Sequence, residues 1–436
     1  MTDRPRLTRR TWIIVAVAVV VVLGGAGAGF GVWRSQQEQK PVTQPAVADP
    51  VAISVPDAPR KLTVGVLITL SAQPGQGSEW KSAADGARVA ARRLAMGGVQ
   101  VELKTVDDKG TTKGAEQAVK ELADEGASGA VVATSGSHVK GAVEAAQQAG
   151  LPLVMPYESD PELAGDLAWA TGPTDPTVGQ ALATALTAAK LEHPLVIDAG
   201  SGVPDGVKAT RTLSFTPGDD TASLIKQARK LADKSTIDTV LVSGPATAQA
   251  TLVQALQGGN ITVPLYLTPD ATSPAFTSAL VEAQGSLSTS FNSVGANFDD
   301  PAALQADAAG RAMSSFLSAV RSTAADEDQK NLTGDQPFSS VAQVADSRSH
   351  DAVIALVRAA ASAKSADAVK ISDAMENLKL GYDDGLAGPG LDFSRPAALD
   401  PDAVHLLRSS RQDLGFRPTD ENADPRLVWF ADPSAK

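Results

Sequence analysis

The feature that most restricts what this chain can fold into is an alternation of short apolar strands with amphipathic helices, clearest from Val131 to Leu163. The stretch VVATSGSHVKGAVEAAQQAGLPLVMPYESDPEL opens on a strand, Ala130–Ala133, and breaks into the polar turn Thr134-Ser135-Gly136-Ser137. Val139, Ala142, Val143 and Ala146 then recur at i, i+3, i+4 and i+7, the spacing of one helix face. Gly150 ends that helix, and a strand at Leu151–Met155 runs into Pro156-Tyr157-Glu158-Ser159-Asp160. In a parallel sheet with right-handed crossovers, both turns fall at the carboxyl ends of adjacent strands. That edge is where open α/β sheets bind ligands.

The same alternation extends in both directions. Upstream, Lys61–Leu70 places Leu62, Val64, Val66, Ile68 and Leu70 at period two, and a loop with Pro74, Gly75 and Gly77 follows. A helix with Ala87, Ala90, Ala91 and Leu94 inward stops at Gly97-Gly98. Strand Val99–Val106 ends in Asp107-Asp108, and the next helix presents Ala115, Ala118, Val119 and Leu122. Downstream, a short strand at Leu167–Thr171 meets Gly172-Pro173-Thr174-Asp175-Pro176, a breaker-rich segment suited to a crossing between domains. A second, smaller series then runs through strands Pro194–Asp198, Thr212–Phe215, Thr239–Ser243 and Val263–Thr268, with the turn Pro217-Gly218-Asp219-Asp220 capping one of its helices. Two doubly wound parallel sheets are the expectation. Later helices are expected around Ala309–Val320, Val353–Ala360 and Ile371–Leu378, and strands near Val404–Leu407 and Arg426–Phe430. The polar loop at 323–349 is long enough to be a functional or mobile feature.

Composition narrows the function. A formal charge of −12 argues against a nucleic-acid partner, whose phosphates need a basic footprint. The absence of cysteine excludes disulfides, thiolate catalysis, Cys-ligated metal and a lipid on an N-terminal cysteine. His138, His193, His350 and His405 are scattered, and there is no nucleophile elbow, phosphate loop or zinc spacing. A binding protein without cofactor or metal is therefore expected, rather than an enzyme. Trp12–Trp33 is an uncharged apolar run near the ~20 residues that span a bilayer as a helix. Residues 1–11 before it carry Arg4, Arg6, Arg9 and Arg10, which keep that end cytoplasmic and send the remainder outside. The run reads as an uncleaved signal-anchor, with a signal peptide cut after Ala26-Gly27-Ala28 as the alternative. Residues 34–60, rich in Gln, Pro and Val, form an extended spacer.

From Lys61 to Asp432 the order of motifs resembles the type I periplasmic binding proteins of the branched-chain (Leu/Ile/Val) amino acid ABC transporter class. VGVLITLS and ADGARVAARRLAMGG are similar to that family's opening strand, loop and long helix ending in Gly-Gly. Asp107-Asp108 matches its acidic pair, and Ser159-Asp160-Pro161-Glu162-Leu163 its Ser/Thr-x-Pro-Glu-Leu turn. SHDAVIALVRAA and GLAGPGLDF resemble its late helix and the strand after it. The resemblance implies two α/β domains, 61–173 plus about 285–400 and 174–284 plus about 401–432, that close over a small amino acid-like solute for an ABC permease. It also implies a site. Ser135 and Ser137 would hold the ligand's carboxylate at a helix N-terminus. Tyr157, Ser159 and Asp219 would take its ammonium group, and Trp80 would form an aromatic lip.

Other roles stay open for these residues. Ser137 also fits a plain N-cap, and Asp219 a helix-start acid stabilised by the dipole. Tyr157 and Glu158 stand where the family has small residues, so a cationic or small polar ligand, or none, is expected. Residues 199–212 are too short for the helix the family places there. A membrane-tethered sensor or envelope scaffold that has lost its transport ligand is the alternative function. The anchor has its own test. Terminal peptides from intact chain in the membrane fraction are the expected result, and a mature N-terminus at Gly29 would exclude it.

Overall fold

The computed structural model describes residues 51–70, 77–418 and 426–432. The expected span Trp12–Trp33, its basic flank and most of the spacer lie outside these residues. Among the described residues no helix is long and apolar enough to cross a membrane.

The first sheet is built from β1 (Lys61–Ile68), β2 (Gln100–Asp107), β3 (Ala130–Val132), β4 (Leu153–Met155) and β5 (Ala168–Ala170). Helices α1 (Gly86–Met96), α2 (Thr112–Asp124) and α3 (Val139–Ala149) connect the first four of these strands. The strand order is β2-β1-β3-β4-β5, and every pair is parallel. A central strand must be apolar on both faces, and β1 is. Leu62, Val64, Val66 and Ile68 pack in one cluster, while Leu67 joins Val119, Leu122 and Val139 in another. The chain order reverses between β1 and β3, which makes the carboxyl ends of these two strands the switch point of the sheet. On α1 the inward stripe differs from expectation, because Val89 and Arg93 are buried and Ala91 is only half-buried. Burial of Arg93 is possible because its Nε donates to the Val51 carbonyl at 2.8 Å and its guanidinium lies 3.1 Å from His350 Nε2.

The second series begins with α4 (Asp175–Ala188) and continues through β6 (Pro194–Asp198), β7 (Arg211–Ser214), α5 (Thr221–Asp233), β8 (Thr239–Ser243), α6 (Ala246–Gly258), β9 (Leu265–Leu267), α7 (Pro274–Glu282) and β10 (Asn292–Gly295). Its parallel strands run β7-β6-β8-β9-β10, the order of the first sheet repeated. As expected, the link from β6 to β7 contains no helix, and the two strands still pair in parallel. The sheet was not fully legible in advance. No strand was expected between Thr268 and Ala309, yet β10 pairs with β9, and the chain leaves this sheet after Gly295 rather than near Gly285.

The chain then returns to the first sheet. Helices α8 (Ala308–Ala324) and α9 (Ser347–Ala363) both pack against α1, and α9 also covers β1, β3 and β4. Then α10 (Ala368–Met375) and a small hairpin of β11 (Lys379–Leu380) and β12 (Leu391–Asp392) follow. Finally β13 (His405–Ser410) and β14 (Val428–Ala431) extend the second sheet in antiparallel fashion beside β10.

The polar loop at 323–349 is fastened rather than free. Asp326 pairs with Arg92 at 2.7 Å, Arg88 donates to the Asn331 carbonyl, and the Leu332 N–H donates to Asp85 at 2.7 Å. All three anchors on the other side come from α1 or the turn leading into it, and Phe338 of the loop is itself fully buried. The C-terminal part is held by a buried ionic knot. Arg417 makes two-pronged contact with Asp300 at 2.9–3.0 Å and donates to the Ala342 and Ala345 carbonyls. Arg426 bonds Asp300 and Asp299, and the Asp299 carboxylate accepts the Trp429 N–H. Burial alone would push the Asp300 carboxyl up, but the two guanidinium groups outweigh it and hold the carboxyl well below the usual range.

Two predictions follow from these fastenings. Arg417→Ala leaves a buried carboxylate short of a partner, which costs about 3–5 kcal/mol, with Arg426 keeping it near the lower figure; urea unfolding measures it. Burial, partly offset by the Leu332 N–H and Arg88, raises Asp85 to about 7. The folded chain therefore holds that proton more tightly than the unfolded chain. The contribution is fully present below the unfolded pKa near 3.8 and is lost as pH rises through 7. Asp85→Asn keeps an acceptor for Leu332 and should flatten this decline, so the variant gains on wild type between pH 5 and 8 in thermal melts.

Candidate ligand-binding cleft

The carboxyl ends of the parallel strands of both sheets supply one cleft of about 420 Å3. From the first sheet come Trp80, Tyr157 and Ser159, and from the second Ser201, Asp205, Ser243, Thr268 and Asp270. Asp175, at the start of α4, and Arg348, in the first turn of α9, complete it.

The base of the first-sheet side is a buried polar network at the switch point. Thr69, just after β1, donates to Asp108 at 2.6 Å and shares a 2.7 Å hydrogen bond with Thr134. His138 Nε2 lies 3.0 Å from the second oxygen of Asp108. Asp107 accepts the Leu70 and Lys109 N–H groups, so the acidic pair braces the ends of β1 and β2. Gly77 packs so closely here that a Cβ would fall 1.8 Å from Thr134 Oγ1, and its φ of +92° suits glycine. This close approach delivers the short helical turn Ser78–Trp80 to the cleft.

Trp80 stacks on Tyr157 with ring centroids 4.6 Å apart and planes 5° from parallel. The Arg348 guanidinium lies 4.3 Å from the Trp80 ring centre and 4.7 Å from that of Tyr157, within cation–π range. Asp346, the N-cap of α9, accepts from the Tyr157 hydroxyl at 2.7 Å and from Arg348 Nε at 2.8 Å. Burial, followed by the neighbouring Asp346 carboxylate, pushes the Tyr157 phenol well above its ordinary value. The hydroxyl is thus a fixed donor that holds α9 to the end of β4.

Glu158 is the unexpected element. It is 3% exposed, and its carboxylate accepts three backbone N–H groups, from Gly136, Ser159 and Asp160, each at 2.9 Å. It ties the turn after β3 to the turn after β4. Burial raises its pKa, the N–H bonds pull it down, and the balance stays above the ordinary carboxylate value.

The six expected site residues separate accordingly. Trp80, Tyr157 and Ser159 line the cleft. Ser135 is half-buried and Ser137 exposed, and neither belongs to the lining; the Gly136 N–H between them is bonded to Glu158. Ser137 is not the N-cap of α3 either, because that position falls to His138 and no side chain bonds there. Asp219 also stays outside the lining. It is exposed and accepts the Thr216 N–H in a local turn before α5, which Asp220 caps.

The acid in the cleft is Asp270, on the short helical turn after β9. Its carboxylate makes no hydrogen bond or ion pair among the described residues. Burial, then the carboxylates of Glu79, Asp175 and Glu158, raise it to about 7 against the opposing pull of Arg348. The rule that chose the first-sheet turns, the end of a parallel strand, also picks out Thr268-Pro269-Asp270. Arg348 had no such signal, because it reaches the cleft from the first turn of α9, where Asp346 holds it.

A family model for periplasmic binding proteins matches residues 61–399. No curated protein sequence matches the chain. Among solved structures, the fold is similar to that of a leucine binding protein, LivK, from Thermotoga maritima, at 14% identity and a TM-score of 0.59, covering 86% of this chain and 99% of that one. It is similar to a branched-chain amino acid transporter substrate binding protein, LivJ, from Streptococcus pneumoniae, solved with isoleucine, at 17% identity, TM-score 0.60, and 85% and 99% coverage. A periplasmic binding protein type 1 from Bordetella pertussis gives 18%, 0.59, 84% and 99%. With most of its length matched and its two repeated parallel sheets arranged as in these structures, the chain belongs to the periplasmic binding protein family, with the type I fold.

Proposed function

We propose that the protein is an extracytoplasmic solute-binding protein that captures a small polar solute, an amino acid or a related amine, for an ABC importer. The two sheets act as two domains, 61–173 with roughly 296–400 and 174–295 with 401–432, closing over the cleft. The observation that carries this reading is Asp270, a partly buried carboxylate without a partner in a cleft of ligand size. Natural small-molecule pockets span roughly 300–1,000 Å3, and this one is about 420 Å3. The leucine and isoleucine binding and the transporter role named for the similar structures support the class of ligand and the importer, at identities that speak only to fold. Trp12–Trp33 as a membrane tether beside a permease is part of the same proposal.

A second reading is favoured by a different observation. The N–H groups at the ends of β3 and β4 are bonded to Glu158, and Arg348, which lines the cleft, is paired with Asp346, so the first-sheet edge is bonded by the protein's own charges. A membrane-tethered sensor or envelope scaffold that has lost its transport ligand fits that edge.

A thermal-shift screen of the full chain across amino acids, amides and small polyamines separates the two. A ligand confined to the native state stabilises it by RT ln(1 + [L]/Kd), so a concentration-dependent rise is expected, and a silent screen favours the scaffold. Asp270→Asn should weaken any amine that binds by about 1.5–3 kcal/mol, the value of a hydrogen bond to a charged group. In the absence of ligand its effect has the opposite sign. The raised pKa means that wild type loses stability as pH climbs from about 4 through 7, so the variant should melt higher at pH 8 and unchanged near pH 4.

A further inference from the structure

We infer that Arg348 is the carboxylate-binding residue of the cleft, so that the solute is a zwitterion whose carboxylate meets Arg348 on the first-sheet side and whose ammonium group meets Asp270 on the second. This rests on the solute-binding reading and narrows its ligand. Arg348 is the one cation among the described residues that line the cleft. Its Nε donates to Asp346 at 2.8 Å, and its two terminal nitrogens make no hydrogen bond among the described residues. Those nitrogens carry the planar fork of N–H groups that grips a carboxylate by two parallel bonds. The fork is held in place. The Trp80 and Tyr157 rings, both in the lining, have their centres 4.3 and 4.7 Å from the guanidinium carbon, and the Tyr157 hydroxyl fixes Asp346 in turn at 2.7 Å. A donor braced in this way gives up little freedom when a ligand binds. The Arg348 side chain is 14% exposed, so an anion that reaches the fork is shielded from bulk water, where a charge-assisted bond is stronger.

The turns that the family resemblance offered for a carboxylate do not compete. Ser135 and Ser137 stay outside the lining, and the Gly136 N–H is bonded to Glu158. Asp270 lines the cleft from the second sheet, and the Arg348 charge already acts on it, opposing the rise that burial causes. The balance of charge then selects the class of solute. Asp175, Asp205 and Asp270 outnumber Arg348 in the lining, and Asp346 is paired with it. A solute with a carboxylate alone would add to the negative excess, and an amine alone would leave the fork unmet. A zwitterion adds no net charge, meets both groups and spans the two sheets, so its bonds hold the two sides of the cleft together.

Matched pairs test this on the full chain by titration calorimetry: glycine and glycinamide, leucine and leucinamide, γ-aminobutyrate and its amide, with any amino acid that the thermal-shift screen returns. Each pair shares its amine and carbon chain and differs in the carboxylate. For any pair that binds, the acid is expected to bind about tenfold or more tightly than the amide, the effect of one charge-assisted bond. Arg348→Met keeps an unbranched side chain beside the two rings and removes the fork, so the acid should lose about tenfold while the amide holds its affinity. Arg348→Lys keeps the charge without the fork; it should fall between, and it serves where the methionine variant does not fold. Amides binding wild type as tightly as acids would overturn the inference and leave the solute-binding reading standing. Equal loss of acid and amide in the variants would mark Arg348 as structural and overturn it too, as would an acid preference that survives in both. If the pairs and the screen are all silent, the solute-binding reading falls and takes this one with it.

Discussion

Every pair among β1–β10 in the two sheets is parallel, and the consequence is that all strand-to-helix turns of a sheet open on one edge. Among the described residues, ten parallel strands in two sheets of identical order therefore offer two edges crowded with loop backbone. The β6–β7 link, which has lost its helix, still obeys the rule, because register and strand direction are imposed by pairing with β6 rather than by the connector. Everything that lines the cleft is there because of that constraint or, like Arg348, because a returning helix is packed over the same end of the sheet.

Backbone crowded into such an edge has to be bonded, and the chain meets this demand largely with carboxylates. Asp108 takes the Thr69 hydroxyl and the Gly110 N–H, Glu158 takes three N–H groups, and Asp346 takes the Tyr157 hydroxyl while capping α9. Each joins segments far apart in the chain, so the polar network fixes the relative placement of β1, β3, β4 and α9 at the cleft. Asp270 is the exception. It shares the low-dielectric setting but lacks the donors, and the carboxylates that stabilise the rest of the edge make its own ionisation harder. A first-sheet edge whose backbone N–H groups are bonded to Glu158, beside a second-sheet acid that lacks such donors, is the physical content of the functional reading.

How much of this was legible in the sequence depended on whether the signal was local. The strands of the first sheet, the repeat of its architecture and the inward faces of α2, α3 and α9 follow from periodicity, which is a local property. The missed strand β10 reads Asn-Ser-Val-Gly, with little β propensity, and exists because β9 and β13 lie on either side of it. Arg93 sits inward on α1 against the hydrophobic pattern because Val51 and His350, far away in sequence, give it partners. The turns Thr134–Ser137 and Pro156–Asp160 were correctly located as a strand edge. The occupant of the N–H groups was not foreseen, since Glu158 read as a bulky intrusion at the rim and proved to be a buried tie between the two turns. Asp219 and Asp270 are both acids in helix-start turns, and only the tertiary path of the chain brings one of them to the cleft.

The cost of holding a carboxylate such as Asp270 without partners says something about why it is there. A raised pKa near 7 means that ionisation at neutral pH is resisted by the fold, so the residue detracts from stability over the range in which an extracytoplasmic protein works. A neutral residue would remove that strain, and natural chains carry such strain mainly where function requires it. Asp85 shows the same shift but has an internal reason, since its carboxylate receives the Leu332 N–H and pins the polar loop to α1. Asp270 has no such internal partner. An incoming ammonium would supply the missing charge, lower the residue's pKa and convert a destabilising group into a point of attachment between ligand and second sheet.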